Sequence, residues 1–334
     1  MATYKEIHGT NIEVLSSDPA NPVSGEIWYN SSTKLLKGFL INPGTWATAE
    51  GLGVATYAML GVGTSTAALA SGGTNPISAT NVSQTYNGTS WTASASQPPG
   101  EGSYFGGQSG TQTSALSFGG QIPSSPYGLN TITWNNTAWT SAPDLNSGRI
   151  RLGGFGASNT DALAFGGEGT SQGGTPVGSG TAVTESWNGS AWTNGNSMNN
   201  GRAFLRGAAT VSTAGLAFGG SDPAGQGRNT ESYNGSWTNL GDLLNTSRSN
   251  MGGSGSQTLA LTYGGYEPGI YAATESWNGS AWTSIASLAV ARRALAGAGT
   301  TNSSALAIGG GNPGRINNVE QFSSGPATVT FSST

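Results

Sequence analysis

One feature constrains the fold of this chain more than any other. Gly-Gly, preceded by small and apolar residues, recurs six times in one register, closing at Gly73, Gly120, Gly167, Gly220, Gly265 and Gly310. The spacings are 47, 47, 53, 45 and 45 residues. A fixed period of that size marks a repeat architecture, with one supersecondary unit per period. Leu69, Leu116, Leu163, Leu216, Leu261 and Leu306 hold the same place in each copy. Two residues on stand Phe118, Phe165, Phe218, Tyr263 and Ile308, with Ser71 the exception. A period of two is a strand signature.

A second motif follows each Gly-Gly. The ten residues TESWNGSAWT occupy Thr184–Thr193 and return unchanged at Thr274–Thr283. Variants begin at Thr85, Thr133 and Ser232. Asn-Gly between two strand-like runs predicts a hairpin on a two-residue type I′ turn. That turn pairs residue 187 with 190 and 185 with 192, and puts Glu185, Trp187, Ser190 and Trp192 on one face. The two indoles then sit diagonally across the ladder. The sixth copy, Val319–Phe331, keeps Phe322 and a Gly-containing turn but has no Trp.

A third segment, rich in Gly and Ala, precedes each Gly-Gly, as in Gly153–Ser158, Gly207–Ser212 and Ala296–Thr301. Small residues suit a crowded innermost strand. Arg149, Arg202, Arg248 and Arg292 precede it at one register, and Glu185, Glu231, Glu275 and Glu320 recur before the third-strand aromatic. Each unit therefore holds four strands: a (small residues), b (closing in Gly-Gly), and the c and d strands of the Trp hairpin. Composition agrees. Only 8% of the residues are charged, yet the chain has 10 Trp, 10 Tyr and 9 Phe among 55 Gly, which suits short strands and tight turns rather than disorder. Four-stranded sheets repeated radially make a β-propeller.

Gly-Gly closing strand b, an aromatic in c, a Trp opening d and an Arg before the next a resemble the kelch repeat. The resemblance covers residues 55–334 and implies an all-β, six-bladed kelch-like β-propeller. Its departure is the c–d turn, which is shorter here than in the kelch pattern. Residues 1–54 lie outside the repeats. The stretch Gly25–Leu36 resembles segments of bacteriophage tail-fibre and other virion proteins. The resemblance implies an N-terminal virion-anchoring segment, β-rich, with turns at Ser31-Ser32 and Asn42–Gly44, and with Trp28, Tyr29 and Trp46 as candidate anchor residues. The other use of Leu36–Thr48 is as a strand added to the first or last blade.

Chemistry is sparsely represented. There is no Cys, so disulfides and thiolate sites are excluded, and there is one His, His8. The copper oxidases among kelch-like proteins need His, Tyr and a Cys crosslink. Six-bladed sialidases need an Arg cluster, a Tyr nucleophile and an acid, and their Asp-box is absent. A general acid–base pair is expected once, whereas these Arg and Glu residues recur. Arg202, Arg248 and Arg292, with Trp187, Trp192, Trp277 and Trp282, are expected to be structural blade residues, the arginines capping carbonyls or bridging neighbouring blades. No enzyme, cofactor or metal site is expected. The sequons at Asn87, Asn188, Asn234 and Asn278 are explained by the turns. The net charge of −4 gives no basic footprint for nucleic acid. MATYKEIHGT lacks the apolar core of a signal peptide, and no stretch suits membrane insertion.

Binding is expected where the repeats differ. The b–c loops vary, and the longest, Glu168–Ala182, accounts for the 53-residue spacing. Candidate contact residues there are Tyr127, Glu168, Gln172, Arg228, Tyr266 and Tyr271. The expected function is that of a tail-associated virion structural and adhesion protein, present in multiple copies. It would assemble in the host cytoplasm, face the outside after release, dock to other virion proteins and recognise a host-surface glycan. The alternative is a capsid decoration protein; a glycan-active enzyme is the distant third.

Overall fold

A computed structural model of the chain describes residues 12–331, apart from 24, 75–78, 102–103, 123–126, 171–175, 178–179 and 222–226. Regular structure among the described residues is all β. The chain forms two compact units, one from Met1–Thr45 with Ser324–Thr334, the other from Trp46–Ser323. Trp46–Val54, which precede the first repeat in sequence, thus belong to the larger unit.

In the smaller unit, Glu13–Leu15 pairs parallel with Ile27–Asn30, which pairs antiparallel with the strand Leu35–Ala49. Asn30 Oδ1 accepts the backbone N–H groups of Ser32 and Thr33, so the expected turn at Ser31-Ser32 forms. Asn42–Gly44 does not reverse the chain. Gly44 takes a positive φ of 104° and donates to Asn42 Oδ1, a local kink, while the strand runs on to Ala49. Trp28 is fully buried and donates from Nε1 to Asp18 Oδ1 at 3.0 Å.

In the larger unit each repeat makes an antiparallel sheet in the order a-b-c-d. The third is Gly153–Ser158, Asp161–Phe165, Thr184–Trp187 and Trp192–Asn194. The first, second, fourth and fifth repeats form the same four-stranded sheet. Aromatics and glycines interlock consecutive sheets. A Cβ on Gly153 would lie 2.3 Å from Phe165, which stands opposite it in its own sheet. A Cβ on Gly207, in the next sheet's strand a, would lie 2.7 Å from Cζ of the same ring. Each hydrophobic cluster mixes two consecutive sheets, as where Leu116 and Phe118 meet Ala162, Ala164, Trp187 and Trp192.

The last sheet differs. Val319–Phe331 is a single strand, so the hairpin expected in the sixth copy does not form. Its neighbour in the sheet, in the place of strand d, is the strand that ends in Trp46–Ala49. Trp46 takes the position of the missing Trp. Its Nε1 donates to Thr274 Oγ1 of the fifth sheet at 3.0 Å. Trp139, Trp192, Trp237 and Trp282 make the same bond to Ser83, Thr131, Thr184 and Thr230 of their own preceding sheets.

The hairpin turns also differ from expectation. Trp187 pairs with Trp192 and Glu185 with Asn194, so the loop is the four residues 188–191 and the indoles stand directly opposite, 5.4 Å between centroids. Asn188 Oδ1 accepts the N–H groups of Ser190 and Ala191, and Gly189 alone takes a positive φ, 94°. An Asn side chain closing its own loop has displaced the type I′ turn.

Candidate functional site

The two ends of the larger unit carry different chemistry. At the end formed by a–b and c–d turns, the turns are short and alike. An amide from each of several a–b turns reaches back to the preceding sheet. Gln112, Asn159, Gln257 and Asn302 donate to the carbonyls of Tyr86, Trp134, Tyr233 and Trp277. These bonds fasten sheet to sheet and leave little side-chain variety for recognition.

The Gly-Gly end is built on buried charge. Arg149, Arg202, Arg248 and Arg292 are all completely buried and pair with Glu185, Glu231, Glu275 and Glu320. Each pair lies within one repeat rather than between neighbours. The Glu holds the connector that arrives from the preceding sheet, because its second oxygen accepts the backbone N–H of Asn146, Asn199, Asn245 or Ala289. Burial lowers the pKa of Arg149, Arg248 and Arg292, and the partner carboxylate opposes that shift. The first two repeats lack the pair, with Gln84 and Ile132 at the Glu register.

Two residues beyond the Arg register comes a feature that periodicity did not reveal. Ala58, Phe105, Arg151, Phe204, Asn250 and Ala294 all take positive φ, between 49° and 59°. Each donates its N–H to the carbonyl of its counterpart in the preceding repeat. The bonds are Phe105 to Ala58 at 3.1 Å, Arg151 to Phe105 at 2.6 Å and Phe204 to Arg151 at 2.8 Å. They continue from Asn250 to Phe204 at 3.1 Å, from Ala294 to Asn250 at 2.7 Å and from Ala58 back to Ala294 at 2.9 Å. The cycle is complete. Left-handed backbone at a non-glycine residue is uncommon and costs on the order of 1 kcal/mol, and here one strained residue per repeat makes the closing bond. The identities vary, from Ala to Phe to Arg, so residue type gave no signal.

The side chains of this cycle form an aromatic and cationic patch. Phe105 and Phe204 meet edge to face at 5.8 Å, and the Arg151 guanidinium lies 4.4 Å from the Phe204 centroid. Tyr57 and Tyr104 pack on Phe105 at 5.7 and 5.8 Å. Arg293 covers the Tyr266 ring at 4.7 Å, and Arg315 donates to the Thr74 carbonyl.

Two of the b–c candidates, Glu168 and Tyr266, contact the arginines of this patch. Glu168 is brought to it and pairs with Arg151. Tyr266 stacks with Arg293, and Tyr271 donates its hydroxyl to the Glu267 carbonyl. Arg228 is exposed and donates to the Leu244 carbonyl. Tyr127 is half-buried; Gln172 and His8 lie outside the described residues. Among the anchor candidates, Tyr29 is half-buried beside Trp28, whereas Trp46 packs against Tyr263 and Phe322 at 4.9 and 5.2 Å inside the larger unit. Among the described residues no cluster of three or more His, Asp or Glu could hold a metal, and no helix is long and apolar enough to cross a membrane. Comparison with known protein families finds no match to this chain, and comparison with curated proteins finds none either.

Proposed function

We propose that the six sheets are the blades of a six-bladed kelch-like β-propeller, and that the propeller is the recognition head of a phage virion structural and adhesion protein. The N-terminal segment docks to another virion component, and the Gly-Gly end engages a host-surface glycan. The protein performs no catalysis. One observation carries the reading: the asymmetry between the ends. Uniform, interlocked turns occupy one end; unequal loops around exposed and half-buried Tyr, Phe and Arg side chains occupy the other. Aromatic faces and guanidinium groups on a rigid scaffold are a common vocabulary of recognition. The cycle of six backbone bonds supports six blades, since each repeat supplies one bond and Ala58 of the first repeat donates to Ala294 of the last.

Buried Arg–Glu pairs at repeated positions support a structural rather than catalytic use of those residues. A virion reconstruction tests the placement. The expected result is the N-terminal segment seated on a tail component with the Gly-Gly end facing outward. Contacts spread over the capsid lattice would overturn it, and so would turnover of a glycan panel that is lost in Arg202→Met or Arg248→Met.

A further inference from the structure

The innermost strands enclose a lumen lined by glycines and, for the most part, small side chains. It holds two cavities, of about 200 and about 80 Å³. At one register of the wall stand Leu60, Gly107, Gly153, Arg206, Gly252 and Ala296, each opposite the last residue of strand b in its own sheet. Glycine stands at three of the four positions where that residue is aromatic. A Cβ would lie 2.2 Å from Phe118 at Gly107 and 2.4 Å from Tyr263 at Gly252. Leu60 is accommodated because it faces Ser71. Arg206 faces Phe218, with no such exchange of volume.

Its charge is equally out of place. The side chain lines the smaller cavity, and its Nε donates to the Met251 carbonyl at 2.9 Å. Arg149, Arg202, Arg248, Arg292 and Arg151 each have a carboxylate partner, but among the described residues no carboxylate pairs with Arg206. Its titratable neighbour is the buried Tyr263, which is neutral because burial raises its pKa. Burial pulls the guanidinium down to about 10, so it stays cationic at neutral pH. Arg206 is half-buried, and a partly desolvated cation without a counter-charge carries a cost that an anion would relieve. Each innermost strand ends its sheet, and an edge strand has backbone N–H groups on the side that no neighbouring strand pairs.

We infer that Arg206 and the strand edges around it hold a small oxyanion in the lumen, of the size of phosphate, sulfate or a short carboxylate. The cavity is several times the roughly 10–15 Å³ that one water occupies, and guanidinium binds oxyanions with paired hydrogen bonds. The larger cavity, lined by Gly63, Thr210, Gly255 and Thr300, leads to it from the a–b turn end, opposite the aromatic patch. The site is therefore independent of the glycan reading.

The test is calorimetric titration of the whole chain with inorganic phosphate, sulfate and acetate, with chloride at matched ionic strength as control. Saturable oxyanion binding is expected, at least about tenfold weaker in Arg206→Met. No saturable binding, or equal binding by the variant, overturns the inference. If the variant does not fold, a selenate soak of wild-type crystals decides. Anomalous density beside Arg206 supports the site; an empty lumen overturns it.

Discussion

At the scale of single residues, this fold is governed by where a side chain cannot be. Gly207 has the rings of Phe165 and Phe155 at 2.7 and 2.8 Å from the place a Cβ would take. Gly207→Ala is expected to cost about 1–3 kcal/mol by overpacking, read as a lower urea midpoint with unchanged slope. Such positions were legible, because the small-residue segments recur and predicted a crowded innermost strand. The left-handed residues were not, since Ala58, Phe105, Arg151 and Asn250 share a backbone angle and no side-chain chemistry. In the smaller unit, Asp18 carries a different residue-scale effect. Hydrogen bonds from Lys37, Asn30 and Trp28 hold its pKa at about 2, below the usual carboxylate range. A depressed folded-state pKa stabilises above the unfolded value and loses that contribution as pH falls through the folded one. Trp28 fluorescence should therefore report loosening of this unit between about pH 4 and pH 2, and Asp18→Asn should abolish that acid-dependent component.

Elements are held by repetition of a few devices. The Arg–Glu pair is buried on both sides, as in Arg202 and Glu231. Arg202→Met strands a buried carboxylate and is expected to cost about 3–5 kcal/mol, while the double variant Arg202→Met with Glu231→Leu recovers much of that loss. Equal costs in denaturant titrations of the two variants would show that the carboxylate is not the source. The four-strand unit and its order were readable from Gly-Gly, the aromatic pair and the Arg register. The turn was misread, because Asn-Gly signals a two-residue loop only when the Asn itself takes positive φ. Here the Asn side chain accepts the loop's own N–H groups, and the loop is four residues long.

For the whole molecule, the decisive element is the one the repeat pattern leaves out. Trp46 sits far from the sixth copy in sequence, so a search by period assigns it to a separate segment. The signal was local: Gly-Thr-Trp-Ala-Thr at residues 44–48 is a near copy of the motif that opens strand d. Trp46→Ala removes its bond to Thr274 and its contacts with Tyr263 and Phe322. A loss of about 2–3 kcal/mol is expected, with hydrogen exchange increasing first in Val319–Ser323. Unchanged exchange there would remove Trp46 from the last sheet's stability.

The proposed recognition surface joins these scales, since the strained backbone cycle presents Phe105 and Phe204, and the b–c loops add Tyr266. Binding of the purified chain to an array of bacterial surface glycans tests it most directly, with wild type compared to Phe204→Ala, Tyr266→Ala and, at the opposite end, Ser190→Ala. Wild type and Ser190→Ala are expected to bind the same glycans, and both aromatic variants to lose at least about tenfold in affinity. Wild-type binding undiminished in both aromatic variants, or no binding to any surface glycan, would contradict it.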